Sequence, residues 1–157
     1  MREGPNLLPV MIDLDETQRM KRLLQENPEN FDEIIEDTFL GICITDENGN
    51  FVAVNEAYCL MYGYSRKELV GNPFVMVLEE SQRDKLQELH DLFMKFKDEI
   101  MRNWRVQRKD GSQIHIFADA GYSDVIQNRP RKVTLVWPDV PELQEAMYSL
   151  QARPKVN

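Results

Sequence analysis

Apolar positions along this chain alternate between helical and strand spacing, and the switches mark the elements. In residues 13–25, Met20, Leu23 and Leu24 share one helical stripe. Asn27-Pro28 ends it, because the residue before a proline avoids helical backbone angles. A second short helix is expected over residues 31–37, with Phe31, Ile34 and Ile35 on one face. Residues 40–45 and 50–54 then read as strands around Asp46-Glu47-Asn48-Gly49, where Asn-Gly supplies the positive φ of a tight hairpin. Helices follow over residues 55–61 and 66–70. Ser65 and Glu68 form a capping box before the second, and Gly71 and Pro73 stop it.

The longest helix is expected over residues 82–101, capped by Ser81 with Asp84 three residues on. Leu86, Leu89, His90, Phe93, Met94, Lys97 and Met101 trace its inner face, widened by Leu92 and Phe96. Strands are expected at 103–108 and 113–122, joined by Lys109-Asp110-Gly111, and at 131–137. On the second of these, Ile114, Ile116 and Ala118 form the inner face and leave His115 outward. Pro138 and Pro141 close the sheet, and residues 142–151 read as an amphipathic helix carrying Leu143, Met147 and Leu150. Two strands, short helices, one long helix and three strands, all joined by hairpins where pairing is local, predict an α+β domain: a five-stranded antiparallel sheet with helices packed on one face.

Composition narrows the class. An apolar share of 42% in 157 residues supports one packed domain. No apolar run is long enough to cross a bilayer, and the N-terminal residues do not read as a secretory signal. Cys43 and Cys59 are too few for a disulfide framework or a four-ligand zinc site, so a cytoplasmic protein is expected. The net charge is −8, and no Lys or Arg lies between Arg22 and Arg66. Such a surface repels phosphate backbones and anionic lipids, which argues against nucleic acid or a membrane as partner. No nucleophile elbow, phosphate loop or zinc-protease motif is present, so no enzyme activity is expected.

Three segments at ordered spacing carry a family resemblance. Residues 41–57 place a strand ending in Thr45-Asp46, a turn with Gly49, and a second strand running into Asn55-Glu56-Ala57. Gly63-Tyr64 is followed by Glu68-Leu69 and Gly71, and Arg108-Lys109-Asp110-Gly111-Ser112 forms the late hairpin. This pattern resembles a PAS domain over residues 30–137, with a helical extension at 1–29 and a linker or helix at 138–157. The resemblance implies a sensory or regulatory module of intracellular signal transduction. It would bind a small ligand or a protein partner, such as a kinase or other effector, and pass the signal through flanking helices.

The resemblance also frames the cofactor question. Flavin-adduct photochemistry needs a cysteine where this chain has Phe74, so only non-covalent flavin stays open. Haem-binding relatives ligate iron from the long helix, at a position that falls on Leu86 here; His90 is one turn later, which leaves a haem-based gas or redox sensor as the less favoured alternative. An unfilled pocket between sheet and helices would be lined by Ile44, Tyr58, Tyr62, Met76, Leu89, His90, Phe93, Trp104, Val106, Ile116 and Leu135. A cofactor-free interaction scaffold is the alternative. Met20, Leu23 and Leu24 would then serve a homodimer or partner contact, since such flanking helices commonly pair in the family.

Overall fold

A computed structural model describes residues 12–152; the outer ends of both expected extensions lie outside the described residues. Helix α1 (Leu14–Glu26) starts where the Asp13 carboxylate accepts the backbone N–H of Glu16 at 3.1 Å. A 3-10 turn, Pro28–Asn30, leads into α2 (Phe31–Ile34), shorter than the sequence suggests. The hairpin β1 (Gly41–Thr45) and β2 (Phe51–Val54) follows, then α3 (Glu56–Tyr62) and α4 (Arg66–Leu69) with the expected capping box. Two 3-10 turns, Phe74–Val77 and Glu80–Gln82, precede α5 (Arg83–Phe96). Strands β3 (Ile100–Gln107), β4 (Gln113–Ser123) and β5 (Arg131–Pro138) complete the sheet before α6 (Pro141–Ala152). The strands are antiparallel throughout, in the order β2-β1-β5-β4-β3.

The long helix departs from expectation at both ends. Ser81 sits in the preceding 3-10 turn, and Gln82 holds the N-cap position without a side-chain bond. The helix stops at Lys97, whose φ of 64° is left-handed. Met101 fits both a helical repeat from Lys97 and the alternation of a strand, and its pairing opposite Asp119 places it in β3. Leu92 and Phe96, expected on the inner face, are exposed at 51% and 61%.

Both faces of the sheet are covered, so β1 is buried at every position and its alternation is hidden. One face carries Cys43, Thr45, Lys132, Thr134 and Val136 and looks toward α3 and the 3-10 turn that precedes α5. The opposite face carries Ile42, Ile44, Val133 and Leu135, alternating with the first set along both strands. Helix α1 lies on this reverse face, where the Lys21 ammonium reaches Asp119 of β4 at 2.7 Å. Helix α6 packs against α3 and the end of β5, with Tyr148, Phe39 and Trp137 in ring contact at 4.9–5.4 Å. Met20 and Leu24 are 0% and 2% exposed inside the chain's own core, and Leu23 packs partly buried beside it. For Met20 and Leu24 the expected partner contact is therefore corrected: they dock α1 onto its own domain, because an isolated helix of this length needs an apolar surface to persist.

Two residues fix how the layers meet. Asn55, 1% exposed, satisfies its whole amide: Oδ1 accepts the N–H groups of Ile42 and Tyr58 at 2.9 Å each, and Nδ2 donates to the carbonyls of Ile35 and Leu40 at 2.7 and 2.9 Å. One side chain thus ties the end of α2 to β1 and caps α3. Gly41 lets α3 lie close on β1, since an added Cβ would sit 2.8 Å from Val136 and 3.3 Å from the Tyr58 backbone.

Candidate functional site

Small residues open a space beneath the helices. On the cavity face β4 presents Ala118 and Ala120, paired with Val136 and Thr134 on one side and with Arg102 and Ile100 on the other. The alanines leave a cavity of about 60 Å³, roofed by Tyr58 and Tyr62 of α3 and by Phe74, Val77 and Leu78. Trp104, Val106 and Ile116 wall the end nearest the late hairpin. The tyrosine rings lie 4.6 Å apart, and burial pushes both phenols above their ordinary range, so they stay protonated.

The polar part of the lining is a cross-strand pair. Thr45 of β1 stands directly opposite Lys132 of β5, and Cys43 stands opposite Thr134. The Thr45 hydroxyl is fully buried and has no hydrogen-bond partner among the described residues. Lys132 extends its ammonium between aromatic faces, 4.8 Å from the Phe74 ring centre and 5.5 Å from that of Phe93. The ammonium also meets His90 Nδ1 at 3.3 Å. The ion pairs among the described residues leave Lys132 out. Burial pulls its ammonium down to about 8, and burial pushes the Cys43 thiol up to about 11, so Cys43 supplies no counter-charge at neutral pH.

His90 is spoken for on both ring nitrogens. Nε2 lies 3.2 and 3.1 Å from the carbonyls of Asp46 and Glu47, which fixes the proton there. Nδ1 is then the lone pair that accepts from Lys132. Burial first, and the Lys132 charge second, hold the imidazole below its ordinary pKa and keep it neutral. The histidine clasps the β1–β2 turn to α5 and orients the lysine. Both of its ring nitrogens are thus engaged within the protein, and the cavity it stands behind is about 60 Å³.

Of the pocket residues expected from the sequence, Tyr58, Tyr62, Trp104, Val106 and Ile116 line the cavity. His90 and Phe93 stand behind it, against Lys132. Leu89 instead borders an open groove shared with Trp104 and His115, and Met76 is half-buried outside the lining. Ile44 and Leu135 are corrected: they lie on the reverse face, because the more polar face of β1 and β5 is the one turned toward the helices. Lys132, Thr45, Thr134 and Ala120 join the lining unanticipated by the sequence pattern. The signal was present in the alternation Ile116, Ala118, Ala120, which leaves a shallow middle to the face.

On the reverse face, Lys21 also bonds Glu99 at 2.9 Å, beside the start of β3. A strand that walls the cavity is therefore anchored next to the helix on the other side of the sheet.

Among the described residues no helix is long and apolar enough to cross a membrane, and no group of three or more His, Cys, Asp or Glu side chains could hold a metal. The model of the PAS fold matches residues 29–140. No curated protein matches the sequence. Among solved structures, the chain is similar to the PAS domain of an HTR-like protein from Haloarcula marismortui (17% identity, TM-score 0.61, covering 77% of this chain and 98% of that one). It also resembles a PAS domain from a two-component sensor histidine kinase (17%, 0.58, 70% and 94%). A third likeness is the LOV protein of Rhodobacter sphaeroides (12%, 0.62, 73% and 68%). At these identities the likeness is one of fold.

Proposed function

The chain belongs to the PAS family, and on that premise we propose that it is a sensory module of intracellular signalling that binds a small molecule between its sheet and helices α3 to α5. The observation that carries this reading is the polar, incompletely satisfied lining inside an otherwise apolar core. Asp119 Oδ2 and Arg131 Nε are also buried without partners among the described residues, but of the three residues Thr45 alone lines the cavity. The ligand is smaller than haem or flavin, and it changes the packing of β3 against the helices. Through Glu99 and Asp119 that change reaches Lys21 and so helix α1, which leads toward whatever effector the module controls. A signalling kinase found as the source of one structural neighbour agrees with this class of output.

Native mass spectrometry of freshly purified protein, with its absorption spectrum, tests the reading. The expected result is a retained or exchangeable adduct of a small colourless molecule. A haem or flavin band overturns it, as does a bare mass joined to a fragment screen in which no methyl resonance of Ile116, Ala118 or Ala120 moves.

A further inference from the structure

We propose that the ligand is a small monocarboxylate, its carboxylate held by the Lys132 ammonium and the Thr45 hydroxyl and its short apolar tail lying over Ala118 and Ala120. This rests on the small-molecule reading above and assigns the chemical class of that molecule.

The charge of the cavity lining is unbalanced. In a chain of net charge −8, the residues lining this cavity include two cations, Lys132 inside and Arg102 near Trp104, and no Asp or Glu. Buried ammonium groups are ordinarily paired, because an unpaired one forfeits its hydration without recompense. Lys132 has the Nδ1 lone pair of a neutral histidine and two ring faces. Of the ionisable groups that line the cavity with it, Cys43 on β1 and Tyr58 and Tyr62 on α3 are all held neutral by burial. A carboxylate supplies the missing charge.

Geometry adds a second donor. Thr45 faces Lys132 across the β1–β5 ladder, and its buried hydroxyl bonds nothing among the described residues. A carboxylate beside this pair can accept from both residues at once, with charge-assisted bonds. The tail is limited by volume: the cavity is about 60 Å³, against about 150 Å³ for an engineered cavity that admits benzene. That points to a few carbons, not a ring. Arg102, stacked 5.6 Å from the Trp104 ring centre, puts a positive charge on the approach.

The test is an NMR titration of the full chain with acetate and with its neutral counterpart acetamide, followed on the methyls of Ile116, Ala118 and Ala120. Wild-type protein is expected to bind acetate at least tenfold more tightly than acetamide. In Lys132→Met the preference disappears, while Thr45→Val reduces acetate affinity several-fold and leaves acetamide unchanged. Equal binding of acid and amide by the wild type overturns the carboxylate assignment and leaves the small-molecule reading standing. Silence of the cavity methyls toward both compounds overturns the assignment, and extended to the whole fragment screen it removes the reading as well. Should Lys132→Met misfold, Lys132→Gln with Thr45→Val carries the same comparison.

Discussion

Two lysines extend from opposite faces of one sheet, and the contrast separates scaffold from site. Lys21, on the reverse face, grips two carboxylates, Asp119 at 2.7 Å and Glu99 at 2.9 Å. Lys132, on the cavity face, has none among the described residues. Around Lys21 the charge is matched: Met20 and Leu24 are buried on the same helix, and the ion pairs tie that helix to the sheet, although Asp119 Oδ2 is buried without a hydrogen-bond partner among the described residues. Around Lys132 the packing is open, with alanines where larger side chains would close the face. The same residue type is therefore matched by carboxylates on one side and held by a neutral histidine and two aromatic faces on the other.

Three measurements sharpen this contrast. The largest effect belongs to the reverse face. Asp119→Ala leaves Lys21 with Glu99 alone and is expected to cost about 2–3 kcal/mol in chemical denaturation. Stability within about 0.5 kcal/mol of wild type would show that α1 is held by its apolar stripe without help from the ion pair.

Lys132→Met has the opposite sign. Removing a half-buried charge that no carboxylate pairs is expected to stabilise the ligand-free protein by about 1 kcal/mol at pH 7. The advantage depends on pH in a defined direction. The folded lysine gives up its proton near 8, whereas the unfolded one keeps it to about 10.5. Between those values the unfolded chain binds more protons, so the wild type gains stability as pH rises. Its deficit relative to the methionine variant is full below pH 8 and closes by about pH 10.5. Paired melts across that range check the sign, and a pH-independent difference would mean that Lys132 is not desolvated.

The smallest effect is expected at the approach to the cavity. Arg102 is exposed and bonded to no carboxylate among the described residues, so Arg102→Gln should change stability by less than about 0.5 kcal/mol. A loss well beyond this would assign the arginine a structural part in holding β3.

The fold was legible because its signals are local. Asn-Gly at 48–49, the capping box at Ser65 and Glu68, and Asn55 as the cap of α3 each act within a few residues and survive any tertiary context. The site was half legible. Aromatic residues on α3 and β3 announced it, but the inward face of β1 and β5 could not be chosen from a strand buried on both sides. Hydrophobicity favoured Ile44 and Leu135 over the polar alternates Thr45 and Lys132. Polar residues in a two-sided strand mark a functional face when the partners they require are missing.

The strand order has a consequence for biogenesis. The sheet's central pair is β1 with β5, the first strand of the domain and the last, while β3 and β2 sit at the rims. During vectorial synthesis the β1–β2 hairpin and α3 can assemble early around Asn55, yet their central neighbour leaves the ribosome only when residue 138 does. Until then β1 presents an unpaired apolar edge. Chain termination anywhere before β5 would strand that edge in solvent, making truncated products of this chain natural clients of chaperones and proteases.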